Sequence, residues 1–221
     1  MRKEFSRIYL SWRQGTGHRR YIVGVIKRSS TKGVRFYYLK EAVGEAKKEG
    51  FIPYTEFPEI DKVYTENVLE TFSSRLINFE RSDIQEFYKF WEISEKFKED
   101  KCYLLAHTQG LLPTDNFELL ADYYPVKNIK FLTDLAGVSH KKIKPEDISI
   151  GDKLTYVKER DNPIDPKAIK VFKGHIELGY IKKIHSNIFH KRHSKDLSLS
   201  VKAIEKNGVV KKIFVKVSFL K

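Results

Sequence analysis

The amino-acid sequence predicts an α+β fold: an N-terminal antiparallel meander with helices, followed by a small OB-like β-barrel with one short helix. Three observations support this class. Short segments rich in β-branched and aromatic residues occur near both ends of the chain, separated by Gly, Pro and Asn turns. Apolar residues at helical spacing are concentrated between these segments. The pair Asn207-Gly208, between two β-rich segments, is the strongest hairpin signal in the chain.

The basic charge of the chain is divided between two separate segments. The protein has 42 Lys and Arg residues against 29 Asp and Glu residues, a net charge of +13. Residues 1–40 carry a net +10, residues 41–125 a net −9, and residues 126–221 a net +12. Clustered basic charge indicates a polyanionic partner. A lysine-rich surface that serves only solubility is the alternative interpretation.

The same change in charge indicates two domains. A chain of 221 residues is long enough for two small domains with separate cores. The segment 123–128 contains Pro125 and reads as a linker. We therefore predict an α+β domain at residues 1–125 and a β-barrel domain at residues 126–221.

The composition argues against secretion and membrane insertion. Cys102 is the single cysteine, so no disulfide framework can form, and a cytoplasmic location is expected. The N-terminal residues are charged and lack the apolar centre of a signal peptide. No apolar run approaches the ~20 residues of a membrane-spanning helix, so we expect no membrane partner.

The N-terminal region opens with three predicted strands, at residues 7–12, 20–26 and 33–39. Their alternating, β-rich pattern indicates the meander. A helix is predicted at residues 41–50, because its apolar residues share one face and Gly50 is a good C-cap.

Three further helices are predicted before the linker. Apolar residues at helical spacing indicate helices at residues 63–76 and 82–93. A turn at residues 110–117 leads into a last predicted helix, which ends near Tyr123. Cys102 lies between them on an apolar stretch and is expected to be a buried thiol.

The C-terminal region contains six predicted strands and one helix, the helix at residues 182–191. This number of short strands in a small domain favours a partly closed barrel of the OB type. The predicted strands are residues 129–138, 152–157, 168–172, 176–181, 197–204 and 209–219.

The most informative stretch is residues 161–166, Asp-Asn-Pro-Ile-Asp-Pro. Proline fixes φ, and the side chains of Asn162 and Asp165 can accept hydrogen bonds from nearby backbone amides. A predicted strand follows directly, and a second strand ends beside the basic pair Lys182-Lys183. Two acidic turns beside exposed cations could hold one polar chemical group. A well-formed turn without a ligand is the alternative.

The run from Glu159 to Val171, followed by Leu-Gly-Tyr-Ile at residues 178–181, resembles the signature of the HIRAN domain. That signature joins Asn-Pro-aromatic-Asp to Ala-Ile, a valine and a later Gly-Tyr or Gly-His. Ile164 stands where the family usually has an aromatic residue. Taken whole, the chain resembles small bacterial proteins that carry a C-terminal HIRAN unit.

The resemblance implies that the barrel recognises the 3′ end of single-stranded DNA. Carried over by position, Asp165 would accept a hydrogen bond from the terminal 3′-hydroxyl, and Asn162 would shape the turn. Tyr180 would face the last nucleotide, while Lys182 and Lys183 would hold phosphates.

The barrel prediction adds further contacts, because such barrels bind single strands in a positive groove with aromatic rings against the bases. The available rings are Tyr156, Phe172 and Tyr180. The cations predicted to contact nucleic acid are Lys130, Lys167, Lys170, Lys173, Lys182 and Lys183.

The sequence does not favour an enzyme. It contains no Walker motif, helicase motif or nucleophile–base arrangement. His185, His190 and His193 could hold zinc, but no cysteine or carboxylate lies among them, and the neighbouring cations would repel a metal ion. We therefore predict no catalytic residues, no metal and no cofactor.

The N-terminal region faintly resembles the N-terminal lobe of HipA toxin kinases, in its opening strands and at residues 110–120. That resemblance implies an interaction lobe without kinase activity, which could dock a protein partner through residues 1–125. Two hypotheses follow. The first is a non-enzymatic binder of single-stranded nucleic acid, DNA rather than RNA, with 3′ ends as targets, in DNA repair or phage defence. The second is a protein–protein interaction module of a toxin–antitoxin or defence system.

Overall fold

The computed structural model describes residues 4–191 and 196–219. The chain divides into two units. The N-terminal unit consists of Phe5–Asp122, and the C-terminal unit consists of Tyr123–Lys221 together with Met1–Glu4. No helix in the part of the chain that the structure describes is long and apolar enough to span a membrane.

The N-terminal unit is built on a five-stranded sheet with the strand order β4-β3-β2-β1-β5. Its first three strands are consecutive antiparallel neighbours, which confirms the predicted meander. The strands are β1 (Phe5–Trp12), β2 (Tyr21–Ser29), β3 (Gly33–Tyr38), β4 (Val63–Tyr64) and β5 (Phe117–Tyr123).

Four helices accompany this sheet: α1 (Lys40–Lys48), α2 (Val68–Ser73), α3 (Ile84–Phe90) and α4 (Lys101–Thr108). The helix predicted at residues 63–76 is shorter than expected. Its first residues form β4, and Asn67, with φ of 53°, separates that strand from α2. A left-handed residue cannot continue a right-handed helix, so α2 begins after it.

The helix predicted to end near Tyr123 is wrong, because this segment is β5. Leu119, Leu120 and Ala121 are all buried, so both faces of the segment are covered. A short, continuous apolar run fits a buried strand and a buried helix equally well, and periodicity alone cannot separate them. The pairing of β5 with β1 decides the outcome.

Aromatic rings form much of the N-terminal core. The Phe36 ring centroid lies 5.1 Å from that of Phe57 and 5.2 Å from that of Phe72. All three side chains are buried. Burial of a phenylalanine contributes about 1.5–3 kcal/mol relative to exposure, so this cluster fixes α2 against the sheet. Cys102 is a buried free thiol in α4, as expected.

The C-terminal unit is built on a six-stranded sheet with the order β6-β11-β10-β7-β8-β9. The predicted hairpin at Asn207-Gly208 is present, with Asn207 paired to Val209 and Gly208 at φ of 69°. The strands are β6 (Lys130–Asp134), β7 (Lys153–Glu159), β8 (Ala168–Lys173), β9 (Ile176–Tyr180), β10 (Leu197–Asn207) and β11 (Val209–Phe219). The helix predicted at residues 182–191 is a 3₁₀ helix, His185–His190.

The predicted barrel is not closed by a full ladder. Just beyond the end of β6, Ala136 forms an isolated antiparallel bridge with Tyr180 of the other edge strand, β9, and the two residues exchange both backbone hydrogen bonds. Gly179, beside this bridge, has φ of 136°. A Cβ atom at that position would collide with the carbonyl oxygen of Ala136. The glycine of the Gly-Tyr motif therefore permits the two edges to approach.

Candidate functional site

The turn between β7 and β8 is held by two side chains that accept backbone hydrogen bonds. Asn162 Oδ1 accepts from the amides of Ile164 and Asp165, both at 3.0 Å. Asp165 Oδ1 then accepts from the amide of Lys167 at 2.9 Å. The prolines at 163 and 166 lack amide protons, so the side chains bond the donors that remain. Both parts of the predicted turn chemistry are confirmed.

Glu159, at the end of β7, connects this turn to the neighbouring strands. Its Oε2 atom accepts from Asn162 Nδ2 at 2.6 Å and from the Tyr180 hydroxyl at 3.0 Å. Its Oε1 atom forms an ion pair with Lys170 Nζ. These contacts lower the pKa of Glu159 from 4.5 to about 2, and the contact with Lys170 contributes most. One carboxylate thus links the turn, β8 and β9.

Tyr180 lies between two ammonium groups. Lys170 Nζ is 5.6 Å from the ring centroid and Lys141 Nζ is 5.9 Å from it. The hydrogen bond to Glu159 raises the pKa of Lys170 to about 12. Lys141 pairs with Glu177 at 2.6 Å. The half-exposed ring is therefore held by its hydroxyl and flanked by cations, an arrangement that orients a stacking surface.

The adjacent lysines 182 and 183 have opposite environments. Lys182 is only 3% exposed and forms an ion pair with the buried Asp134. A buried, paired ammonium cannot also hold a phosphate at the surface, so the structure does not place Lys182 in the role expected for it. Lys183 is exposed and has no ion-pair partner in residues 4–191 and 196–219. The strand ends at Tyr180, and the chain then turns so that only the second lysine faces solvent.

Asp165 is half-buried, and only one of its carboxylate oxygens is used by the turn. The other, Oδ2, receives no hydrogen bond or ion pair from the described residues. The next side chain towards the N-terminus, Ile164, is 86% exposed and packs on nothing that would bury it. The tip of the turn therefore offers a carboxylate oxygen and an apolar surface to solvent.

The remaining predicted contacts are spread over the unit. Lys130 and Lys167 are exposed, whereas Lys173 pairs with Asp152 at 2.6 Å. Phe172 is half-buried on β8. Tyr156 is half-exposed and packs edge-on against the buried Phe189, with 4.8 Å between ring centroids, so one side of its ring is covered by the core.

The structure thus brings five of the seven predicted site residues to one surface, which we call the turn–Tyr180 surface. These residues are Asn162, Asp165, Lys167, Lys170 and Tyr180. Of the other two predicted residues, Lys183 is exposed three positions after Tyr180, and Lys182 is buried. Sequence reasoning missed Glu159 and Lys141 as parts of this surface. Glu159 lies inside the quoted motif, but only its contacts reveal its role; nothing in the sequence pointed to Lys141.

The histidines do not come together. His185 is fully buried, with Nδ1 2.9 Å from the hydroxyl oxygen of Thr133. His190 Nε2 bonds the carbonyl oxygen of Lys167 at 3.1 Å. His193 lies outside the described residues. Within those residues, no group of three or more His, Cys, Asp or Glu side chains is arranged to hold a metal ion.

The C-terminal unit also has a depression of about 410 Å³, where the segment 142–146 meets the tip of the β10–β11 hairpin. Three lysines line it: Lys142, Lys144 and Lys211. None of the three has an ion-pair partner among the residues that the structure describes. The segment 141–146 therefore has lysines at both places. Lys141 lies beside the Tyr180 ring, and Lys142 and Lys144 line the depression.

Residues 129–217 match the model of the family described as the HIRAN domain, which confirms the resemblance seen in the sequence. HIRAN domains are a nucleic-acid-binding family. The match does not extend to the N-terminal unit, whose likeness to HipA stays a prediction.

Two solved structures are also similar to this chain. One is a crystal structure of a protein from Lactobacillus plantarum, with 15% sequence identity, covering 41% of this chain and 94% of that chain at a TM-score of 0.33. The other is the crystal structure of the HIRAN domain of human HLTF, with 14% identity, covering 42% of this chain and 77% of that chain at a TM-score of 0.33. No curated protein matches the chain.

Proposed function

Because residues 129–217 form a HIRAN domain, we propose that this protein is a non-enzymatic binder of single-stranded nucleic acid. Its ligand is DNA rather than RNA, with the 3′ end bound at the turn–Tyr180 surface. Lys167 and Lys183, which are exposed and have no ion-pair partner among the described residues, would hold the backbone, and the tyrosine ring would receive the last base. A role in DNA repair or phage defence fits such an activity.

The observation that carries the 3′-end proposal is the free oxygen of Asp165. The other carboxylate of this surface, Glu159, is neutralised by Lys170 and by two further donors. Asp165 has no ion-pair partner among the described residues, although the unit is strongly basic. A carboxylate in that place weakens phosphate binding, unless the ligand donates a hydrogen bond to it. A terminal 3′-hydroxyl is such a donor, and a charge-assisted contact of this kind is worth about 1.5–3 kcal/mol.

The substitution Asp165→Asn separates this role from a purely structural one. Asparagine can still accept the hydrogen bond from Lys167, so the turn should survive. Affinity for oligonucleotides with a 3′-hydroxyl should fall about tenfold, equivalent to ~1.4 kcal/mol. Affinity for the same oligonucleotides with a 3′-phosphate should stay equal or rise, since a repelling charge is removed. Fluorescence anisotropy with both ligands measures the difference.

Asp161→Asn is the matched control. Asp161 is exposed on the same turn and loses the same charge, but its side chain makes no hydrogen bond or ion pair with the described residues. It should change both affinities alike and slightly. Wild-type affinity of Asp165→Asn for 3′-hydroxyl ends would rule out the end-binding role and leave a general single-strand binder.

A further inference from the structure

One face of the N-terminal sheet carries a row of basic side chains on adjacent strands. Lys27 on β2 and Arg35 on β3 lie directly opposite each other. On β1, Ile8 pairs with Ile26 of β2. Because the strands are antiparallel, Arg7 lies beside Lys27 and extends the row to a third strand. Like charges placed directly opposite in a sheet repel each other and destabilise the pairing. Such a row therefore lowers the stability of the sheet, unless a bound anion neutralises the charges.

The cations of this row are poorly neutralised. Lys27 and Arg35 have no ion-pair partner among the described residues. Arg35 is half-buried, and its Nε atom is buried without a hydrogen-bond partner in that part of the chain. The Tyr9 hydroxyl accepts a hydrogen bond from Arg7, and this bond, with a weaker attraction from Asp122 on β5, raises the pKa of the Arg7 guanidinium. Two positive charges therefore remain across β2 and β3.

A row of tyrosines runs beside the cations on the same face. Tyr9 on β1 and Tyr37 on β3 both pair with Val25 of the central strand β2. Both tyrosines are half-exposed, while Val25 is only 1% exposed. The same row continues to Val63 on β4, which is 53% exposed. The rings therefore cover the valine and still present a surface to solvent.

These two rows together match the requirements of a single-stranded nucleic acid. Aromatic rings on a sheet stack bases, and adjacent Arg and Lys side chains hold the phosphates. An acidic protein partner would be attracted by the cations, but it would gain nothing specific from two solvent-facing rings. The charge is also regional: residues 1–40 hold eleven Lys and Arg against the single acid Glu4.

We propose that this face, defined by Arg7, Tyr9, Lys27, Arg35 and Tyr37, is a second binding surface for single-stranded nucleic acid. It lies in the N-terminal unit, outside the HIRAN match, and does not depend on the turn–Tyr180 surface. None of its five residues is a carboxylate that could give a terminal 3′-hydroxyl a charge-assisted hydrogen bond, so it binds internal nucleotides. The 3′ end and internal nucleotides would then be recognised by different units.

Photo-crosslinking tests this surface directly. A circular oligothymidine containing 4-thiothymidine has no 3′ end and should crosslink to peptides of β1 or β3 in the full-length protein. The crosslinks should persist in Asp165→Asn, so failure of the end-binding role would not obscure the result. Crosslinks confined to residues 123–221 would overturn the second surface.

Paired charge reversals give the quantitative test. Lys27→Glu with Arg35→Glu should weaken binding of the circular oligonucleotide about tenfold. The log–log salt dependence should become shallower by about 1.4, from ~0.7 for each of two phosphates. The control is Lys47→Glu with Lys101→Glu, two exposed lysines on α1 and at the start of α4 that change the net charge equally. The control should stay within about twofold of wild type, and equal weakening by both pairs would refute the proposal.

A second variant guards against misfolding. Tyr9→Leu with Tyr37→Leu keeps an apolar cover over Val25 but removes the stacking rings. It should bind the circular oligonucleotide at least about threefold more weakly, since base–aromatic stacking is worth about 1–3 kcal/mol per base. Circular dichroism should show an unchanged fold. A folded variant with wild-type affinity would contradict the role of the rings.

Discussion

At the scale of single residues, the adjacent lysines 182 and 183 show how burial separates two roles. Lys182 and Asp134 form a buried ion pair, and removing one partner of such a pair leaves an uncompensated charge. Lys182→Ala should therefore destabilise the protein by about 3–5 kcal/mol. Lys183→Ala should leave stability within about 0.5 kcal/mol of wild type, as for most surface substitutions, and weaken oligonucleotide binding.

Chemical denaturation of the two variants measures this contrast, with anisotropy as the binding readout. If Lys182→Ala were as stable as wild type and bound nucleic acid more weakly, the ammonium would act at the surface after all. The double variant Lys182→Ala with Asp134→Ala should recover part of the lost stability, since neither charge is then left alone.

Glu159 provides a pH-dependent prediction at the same scale. Its pKa is about 2 in the folded protein and near 4.5 without its partners. A lowered carboxylate pKa stabilises the fold above pH ~4.5, and this contribution is lost as the pH falls towards 2. The variant Glu159→Gln lacks the contribution at every pH. The difference in melting temperature between wild type and Glu159→Gln should therefore be constant from pH 7 to about pH 5 and shrink below it.

Melting curves at pH 7, 5, 4 and 3 check this expectation. Lys170→Met is the companion variant, because the contact with Lys170 contributes most to the lowered pKa of Glu159. It should make the contribution of Glu159 smaller and complete its loss at a higher pH, because only the folded-state pKa rises. A melting difference that persists unchanged at pH 3 would mean that Glu159 does not depend on these partners.

At the scale of elements, Gly179 controls how the two edges of the C-terminal sheet meet. A Cβ atom there collides with the Ala136 carbonyl oxygen, and φ of 136° is strained for any residue with a side chain. Gly179→Ala should cost about 2–4 kcal/mol and disturb Tyr180, which makes the bridge. Gly174→Ala is the control. Gly174 also has a positive φ, of 56°, but a Cβ atom there meets nothing within 4 Å.

Gly174→Ala should destabilise the protein by about 1–2 kcal/mol, because alanine is strained only by the left-handed backbone conformation there. Urea denaturation of the two variants gives the comparison. Amide hydrogen exchange at Ala136 and Tyr180 should quicken in Gly179→Ala and stay unchanged in Gly174→Ala. Equal destabilisation by both substitutions would show that the close approach of the edges contributes nothing.

At the scale of the whole molecule, the position of Tyr123 decides where the C-terminal unit can be separated. Its buried ring stacks on Phe131 with 4.0 Å between centroids, inside the C-terminal unit. Loss of a ring of this size from a core costs about 3–5 kcal/mol. A fragment of residues 123–221 should therefore be more stable than a fragment of residues 126–221, which starts at the boundary predicted from charge.

Melting temperature and oligonucleotide affinity of the two fragments test this directly. The longer fragment should keep the binding of 3′-hydroxyl ends, because the turn–Tyr180 surface lies wholly within it. Equal stability of the two fragments would mean that Tyr123 contributes little to the C-terminal core. Insolubility of both would show that the two units do not fold separately.

Features that depend on neighbouring residues could be predicted from the sequence. The turn around Asn162 and Asp165 and the hairpin at Asn207-Gly208 follow from local side-chain and backbone chemistry, so they could be predicted residue by residue. The meander was predictable for the same reason, because its strands are consecutive and joined by short turns. The HIRAN motif belongs to this class too, since its turn, strand and Gly-Tyr pair are close in the chain.

Tertiary structure alone decided the features that depend on distant partners. The burial of Lys182 follows from Asp134 on another strand, and the central role of Glu159 follows from Lys170 and Tyr180. The segment 117–123 became a strand because β1 offered an edge to pair with. Local propensity cannot specify such contacts, since their free energy arises only when separate segments meet and exclude water from the groups between them.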